Sequence, residues 1–558
     1  MSNKLRSNFE EGSTRWAVRR AQWIAMGIDE ADFEKPKIAV INSSSGLSVC
    51  YQHLDEFSQL TQEAIREAGG LPFEINTIAP SDFVTSAGKK ARYLMPTRDL
   101  MVNEIEVMLE GAVLDGMILL SSCDKTTPAH LMAAARLNIP ALVIPCGYQL
   151  GGNCHGKEVD IEEVYKGVGT LLMGKMTLAE MKEWTRCAIK GPGVCAGMAT
   201  ANSMHCLTEA LGMALSGTTP IRAASDKLRD VVRKAGQQII SLIEKDIRPR
   251  DILTIGAFEN AIRVAISIGC SVNTVRHLSA IAVEAGLDID VVAMFEQEAG
   301  QLSQITQIRP NGPDRIEDLE SAGGTRAVLY RLKQLLNLHV MTVDGLSLSL
   351  LLKDAIEINE AIIRPVDNPF RNEPGLTIIR GNLAPAGAIV KLSGIGTSHR
   401  IFEGPAKVFN DEDLAMLALS EGKIKDGDIV ILRMMGPVGG PGTVFACSFM
   451  AALSGAGKGA TVAVVTDGEL SGLNKGITIG QVMPEAACGG PLAIVEEGDT
   501  IRIDLSTRKI DLLIDPVLYV QRMKEWRPAV RKLENNWLKI YAENVMPIEK
   551  GAVLGKRD

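Results

Sequence analysis

Cys123, Asp124 and Lys125 stand in a row: a soft sulfur donor, a hard carboxylate and an amine, set between the apolar run Gly116–Ser122 and a helical run with Pro128 in its first turn. Such a triplet can hold a soft metal through sulfur and a hard cation through oxygen. It can also be structural, because a free cysteine often packs as a small hydrophobe and an aspartate at a strand end often caps a helix. What decides is the company it keeps. Cys50 lies in the Ser- and Gly-rich stretch SSSGLSVCYQHL, Asp82 follows a strand end, and Cys195 is flanked by glycines in Gly191-Pro-Gly-Val-Cys-Ala-Gly197. Those glycines suit close approach by a bulky ligand, or equally close helix packing. Ser471 ends a buried run, VAVVTDGELSG, in a tight turn, where a serine is either a turn former or a displayed reactive group. The run does not match Gly-x-Ser-x-Gly, and neither it nor the loop Gly436–Gly442 ends in the Gly-Lys-Ser/Thr of a phosphate loop.

The elements that must position these residues follow from hydrophobic periodicity. Gly116–Ser122 reads as a buried parallel strand, Thr126–Leu137 as a helix and Ala141–Ile144 as the next strand, one βαβ step. Lys37–Asn42 is an earlier strand, followed by a helix over Asp55–Gly69 and a strand near Phe73–Ile78. Asp82 and Asp124, with Cys50 and Cys123, thus fall beyond the carboxyl ends of parallel strands, where such folds bind ligands. From Cys146 the pattern loosens. Residues 205–365 read as helices alternating with short strands, including long amphipathic runs at Ala261–Ala285 and Gly323–Leu338. From about 373 short strands and Gly/Pro turns point to a barrel or sandwich. The fold class expected is therefore α/β: a parallel-sheet domain over 1–372 and a smaller β-rich, barrel-like domain over 373–558.

The composition of the 558 residues is that of a globular protein, 46% apolar and 23% charged, with a net charge of −8 and no basic run, which argues against nucleic acid as a partner. A charged N-terminus and the lack of an 18-residue apolar stretch argue for a cytoplasmic chain that does not engage membrane. Ten cysteines without any C-x-x-C pair fit neither a disulfide framework nor a zinc ribbon, so sulfur ligands to a metal would have to come from distant loops.

Taken in order, CDKTTP (123–128), GPGVCAGMATANSM (191–204), RGNLAPAGAIVK (380–391), FEGPAKVF (402–409), GPVGGPG (436–442), TDGELSG (466–472) and PEAACGGP (484–491) resemble the dihydroxy-acid and sugar-acid dehydratase family, also called the phosphogluconate dehydratase family. The resemblance spans nearly the whole chain. It implies dehydration of a 2,3-dihydroxy carboxylate to a 2-keto acid, with Cys50, Cys123 and Cys195 as thiolates of a 2Fe-2S cluster. Members with a larger, oxygen-labile cluster often lack a cysteine at the place of Cys50, so its presence favours the smaller one. Asp82 and Asp124 resemble Mg²⁺ ligands, Lys125 matches a lysine that is carbamylated to become a third ligand, and Ser471 matches the proposed base. A homodimer or homotetramer is implied, with a small hydroxy acid as substrate.

The chemistry accounts for these residue types. Removing the C2 proton accumulates charge on the carboxylate, which an oxygen-bound dication spreads, and a Lewis acid makes the 3-hydroxyl a better leaving group. The sequence also departs from the family. Phe445 stands where members carry a metal-binding glutamate, and Glu469 replaces the arginine of Thr-Asp-Gly-Arg; further departures fall at Phe83, at Ala87–Lys90 and at Cys270–Asn273. Glu469 is accordingly a candidate replacement ligand for Mg²⁺, against a role as a solvated turn residue or a binder of a substrate hydroxyl. The departures suggest a preference shifted from 2,3-dihydroxyisovalerate toward other acids, such as aldonates. A cluster-bearing paralogue without catalysis is the remaining alternative.

Overall fold

The structure is a computed structural model that describes residues 5–87, 91–395, 400–442, 446–470, 476–528 and 536–555. Four parallel strands, β1 (Lys37–Asn42), β2 (Leu71–Asn76), β3 (Gly116–Ser121) and β4 (Ala141–Pro145), form a sheet in the order β2-β1-β3-β4. Every residue of β1, β3 and β4 is buried, as covering both faces of a parallel sheet requires. Met117, Ile118, Leu119 and Leu120 of β3 are fully enclosed, each worth about 1.5–3 kcal/mol of apolar burial. The helix Thr126–Leu137 is buried along its first ten residues, and its alanines 129 and 133–135 allow neighbouring helices to approach closely. Asn138 then ends it in the left-handed conformation, φ 49°.

Chain order reverses between β1 and β3, since β1 leads outward to β2 on one side while β3 starts the other half. That junction is the topological switch point, and the crevice beyond its carboxyl ends is the expected ligand position. Its two walls are the loops carrying Cys50 and Cys123.

Between 146 and 190, where the sequence pattern loosens, lies a small antiparallel sheet. β5 (Leu150–Cys154) pairs with β6 (Lys157–Val159) and with β7 (Ile189–Lys190). The alternation of helix and short strand expected over 205–365 is not found: among the described residues this region holds helices and isolated bridges, without a strand. The run Ala261–Ala285 is two helices, Ile255–Ile268 and Asn273–Ala285, separated where Gly269 turns left-handed at φ 67°.

The C-terminal part is the barrel anticipated as one of two options. β8 (Leu376–Gly381), β9 (Ala384–Lys391), β10 (Ile401–Phe409), β11 (Ile429–Leu432), β12 (Ala463–Thr466), β13 (Thr478–Met483), β14 (Thr500–Asp504) and β15 (Lys509–Leu512) close in the order β10-β11-β12-β13-β9-β8-β15-β14. Its interior is an aliphatic core of its own, including Ile379, Val390, Ile431, Val465, Ile479 and Ile503. No helix among the described residues is long and apolar enough to cross a membrane.

Candidate active site

The loops beyond β1, β2 and β3 are tied to one another before any ligand is considered. Ser122 donates to the Cys50 carbonyl at 2.6 Å, and Ser48 donates to the Ser81 hydroxyl at 2.9 Å. The Tyr51 hydroxyl donates to the Pro80 carbonyl and lies 3.2 Å from the Thr126 hydroxyl. One loop thereby fixes both the Asp82 segment and the start of the helix after Lys125. The Cys195 loop joins the same group. Gly193, at φ 113°, donates its N–H to Val49, and Asn202 donates to the Cys195 and Gly197 carbonyls at 2.7 and 2.8 Å. A Cβ at Gly193 would sit 2.6 Å from the Tyr148 backbone, so glycine is required there.

Cys50, Cys123 and Cys195 are buried. The Cys123 thiol lies 3.8 Å from Asp82 Oδ1 and contacts Cys50, whose hydrogen bond, together with burial and the Asp124 charge, pushes it well above the usual thiol range. Burial and then the charges of Cys123, Asp82 and Asp124 push Cys195 up in the same way. Burial, Asp124 and Cys123 likewise raise Asp82. These groups are each penalised by the others, and the buried Asp124 Oδ1 has no hydrogen-bond partner. Such an excess of acceptors and acids, sulfur on one side and carboxylate on the other, fits a place for cations of two kinds.

Lys125, fully buried, reaches Asp124 at 2.5 Å and Glu469 at 3.1 Å. Burial disfavours its charge, but Asp124, Glu469 and Asp82 outweigh that and hold it above the ordinary lysine range. Glu469 is also fully buried, which removes the solvated-turn alternative; its second oxygen lies 3.4 Å from the Arg276 guanidinium. Arg276 escaped the sequence reading. The one available signal was a positive charge amid the apolar helix Asn273–Ala285, opposite in sign to the unusual glutamate.

Asn273, inside a segment already marked as a departure, donates to the Leu470 carbonyl at 3.0 Å and accepts from Gln481 at 3.0 Å, stitching the end of the TDGEL turn to the helical part. Asp467 accepts the N–H groups of Met434, Met435 and Ala486, and Glu485 those of Val438 and Gly439. Asp467 of TDGELSG and Glu485 of PEAACGGP therefore act as carboxylate clamps on the segment 434–439 that leads into and through the glycine loop. Tyr165, another residue the sequence did not mark, lies within electrostatic reach of Asp82, Cys195 and Cys447. Ser471, Phe445 and Gly88–Lys90 lie outside the described residues, as does the side chain of Phe83.

Family models described as dihydroxy-acid/6-phosphogluconate dehydratase N-terminal and C-terminal match residues 35–351 and 361–552. A dihydroxy-acid dehydratase of Acetivibrio thermocellus is 40% identical, covering 99% of this chain and 100% of its own. That of Pyrococcus furiosus is 41% identical over 99% of this chain and all of its own, and that of Aquifex aeolicus 37% over the same shares. With both halves matched and relatives aligned end to end, the chain belongs to the dihydroxy-acid/6-phosphogluconate dehydratase family.

Proposed function

We propose that this enzyme removes water from a 2,3-dihydroxy carboxylate to give a 2-keto acid. The observation that carries the reading is the meeting of Cys50, Cys123, Asp82 and Asp124 in the switch-point crevice of a chain related over its full length to dihydroxy-acid dehydratases. Cys50, Cys123 and Cys195 would hold a 2Fe-2S cluster, and Asp82, Asp124, Lys125 as its carbamate, and Glu469 would hold Mg²⁺. When bound, these groups supply Lewis acidity at the leaving hydroxyl and at the substrate carboxylate.

The chain's own residues supply the rest. Ser471, as its alkoxide, takes the C2 proton, the C3–O bond breaks, and the serine hydroxyl returns that proton to the leaving hydroxide, which departs as water; the resulting enol moves its O–H proton to C3 and becomes the ketone without change of oxidation state. Lys125, as an ammonium, lies between Asp124 and Glu469 and balances the charge of both carboxylates. The burial of Asp124, Lys125 and Glu469 excludes water from that side, which strengthens each charge interaction. In this reading residues 1–372 furnish the thiols and two aspartates, and residues 373–558 furnish Ser471 and Glu469. A homodimer or homotetramer is the expected assembly.

The departures at Phe445 and Glu469 support a substrate preference moved away from the branched-chain acid. The test is keto-acid formation by anaerobically purified, brown protein, with kcat/KM compared on 2,3-dihydroxyisovalerate and a panel of aldonic acids. Keto acid from any of these supports dehydration, and higher kcat/KM on an aldonate supports the shift. A clear preference for 2,3-dihydroxyisovalerate refutes the shift, and intact cluster without turnover on the whole panel refutes dehydration.

A further inference from the structure

A second group of metal-type donors lies on the small sheet, and it shares no residue with the site above. Cys154 is the last residue of β5, and His155 follows in the tight turn to β6 in the left-handed conformation, φ 53°. Glu183 and Cys187 lie one turn apart on the helix Leu178–Cys187 and so project from one face. The Cys154 sulfur, a His155 ring nitrogen and a Glu183 carboxylate oxygen all lie within 4.8 Å of one another. The Cys187 sulfur is 2.7 Å from that of Cys154, and His155 Nε2 is 2.7 Å from Glu183 Oε2.

The donors fix the class of cation. Two sulfurs, one imidazole and one carboxylate are the set of a four-coordinate, borderline-soft dication, and Mg²⁺ would be a poor occupant. A disulfide would use the two sulfurs but would leave His155 and Glu183 without a purpose at the same point. The two sulfurs stand 2.7 Å from each other. Metal–sulfur bonds of about 2.3 Å at tetrahedral angles would part them by roughly one ångström more. That is a small movement for Cys187 at the end of its helix. Beneath the donors lie Val159 and Ala188, with Val164, Trp184 and Ile189 packed around them, a dry floor that favours sulfur ligation. Above them His155 is 83% exposed, which leaves an entry path. Lys157 lies flat over the Trp184 ring at 4.1 Å, on the flank of the group.

We propose that Cys154, His155, Glu183 and Cys187 bind a zinc-type dication that clips the β5–β6 turn to the helix Leu178–Cys187. The clip bears on the active site through β7, which pairs with β5 at Leu150 and Gly151 and runs straight into the loop of Cys195.

The experiment is elemental analysis of the untagged full-length protein, purified anaerobically with its cluster, beside the variants His155→Ala, Glu183→Gln and Cys187→Ser. About one equivalent of zinc per chain, separate from iron and magnesium, is expected in the parent. Zinc is expected to drop severalfold in each variant while iron is retained. The first two variants change exposed side chains, so their folding is not at risk. Zinc absent from the parent after equilibration with Zn²⁺, or unchanged in the His155 and Cys187 variants, overturns the proposal. So does intact-mass analysis showing a Cys154–Cys187 disulfide in the anaerobic protein. None of these readouts depends on which acid the enzyme dehydrates.

Discussion

Glu469 shows how a charged side chain can be fully enclosed and still belong to its surroundings. Buried between the Lys125 ammonium and the Arg276 guanidinium, it meets two positive partners at 3.1 and 3.4 Å, so its charge is compensated where an arginine would have faced two like charges. The same carboxylate stands one ammonium away from Asp124, which has an oxygen without a hydrogen bond. Glu469→Gln keeps the shape and removes the charge. Mg²⁺ affinity is expected to fall about 10–100-fold, as for loss of a group that holds or orients a metal ligand. Calorimetric titration of metal-depleted protein measures it, and unchanged affinity and occupancy would remove Glu469 from the metal's surroundings. The Cys123→Ser variant is expected to lose most of its iron, visible as loss of brown colour, whereas Cys146→Ser keeps it. Cys146 is buried as well, but its thiol faces the Ile144 carbonyl two residues back.

At the scale of elements, the floor of the site rests on two histidines held neutral. His130 pairs with the Ser121 hydroxyl at 2.7 Å and His205 with the Ser122 carbonyl at 2.9 Å, Ser121 and Ser122 being the two residues that lead into the triplet 123–125. Burial lowers them from 6.5 to about 3 and about 4. Below pH 6.5 the unfolded chain therefore takes up protons that the folded chain refuses. Their contribution is complete above pH 6.5 and is lost as pH falls toward the folded values, by about 1.4 kcal/mol per pH unit for each histidine. Denaturant unfolding at pH 7 and pH 5 should show this slope, and His205→Gln should flatten it; a slope unchanged by the substitution would place the acid sensitivity elsewhere. Elements with a strong hydrophobic period are legible in the sequence. β1 and the helix Thr126–Leu137 have the bounds that hydrophobic pattern alone assigns. The β5–β6 hairpin is not, because Leu150-Gly-Gly-Asn-Cys154 has neither alternation nor bulk, and a strand without side-chain period leaves no trace. For the same reason Cys154, His155, Glu183 and Cys187 went unseen. Their spacing is set by a hairpin and a helix face, and no short motif records it.

At the scale of the molecule, the halves are laced together by the end of the chain. Arg98, fully buried on the helix Leu94–Ala112, donates to the carbonyls of Gly551 and Ala552 at 2.9 and 2.8 Å, and its neighbour Asp99 accepts the Leu554 N–H at 2.9 Å. Arg98 also lies 3.4 Å from His277, one residue beyond the Arg276 that faces Glu469. The C-terminal segment thus closes over the same buried charge chain that leads to Lys125. The pairing Arg98–Asp99 at 3.1 Å cannot be cut at one end cheaply, because the aspartate left behind has no access to water. Arg98→Met is therefore expected to cost about 3–5 kcal/mol of stability. Arg98→Met with Asp99→Asn, which removes both charges, should recover part of that loss. Denaturant midpoints of the two variants give the comparison. Equal losses in the single and double variants would mean that the carbonyls of Gly551 and Ala552, rather than the buried charge, are what Arg98 holds in place.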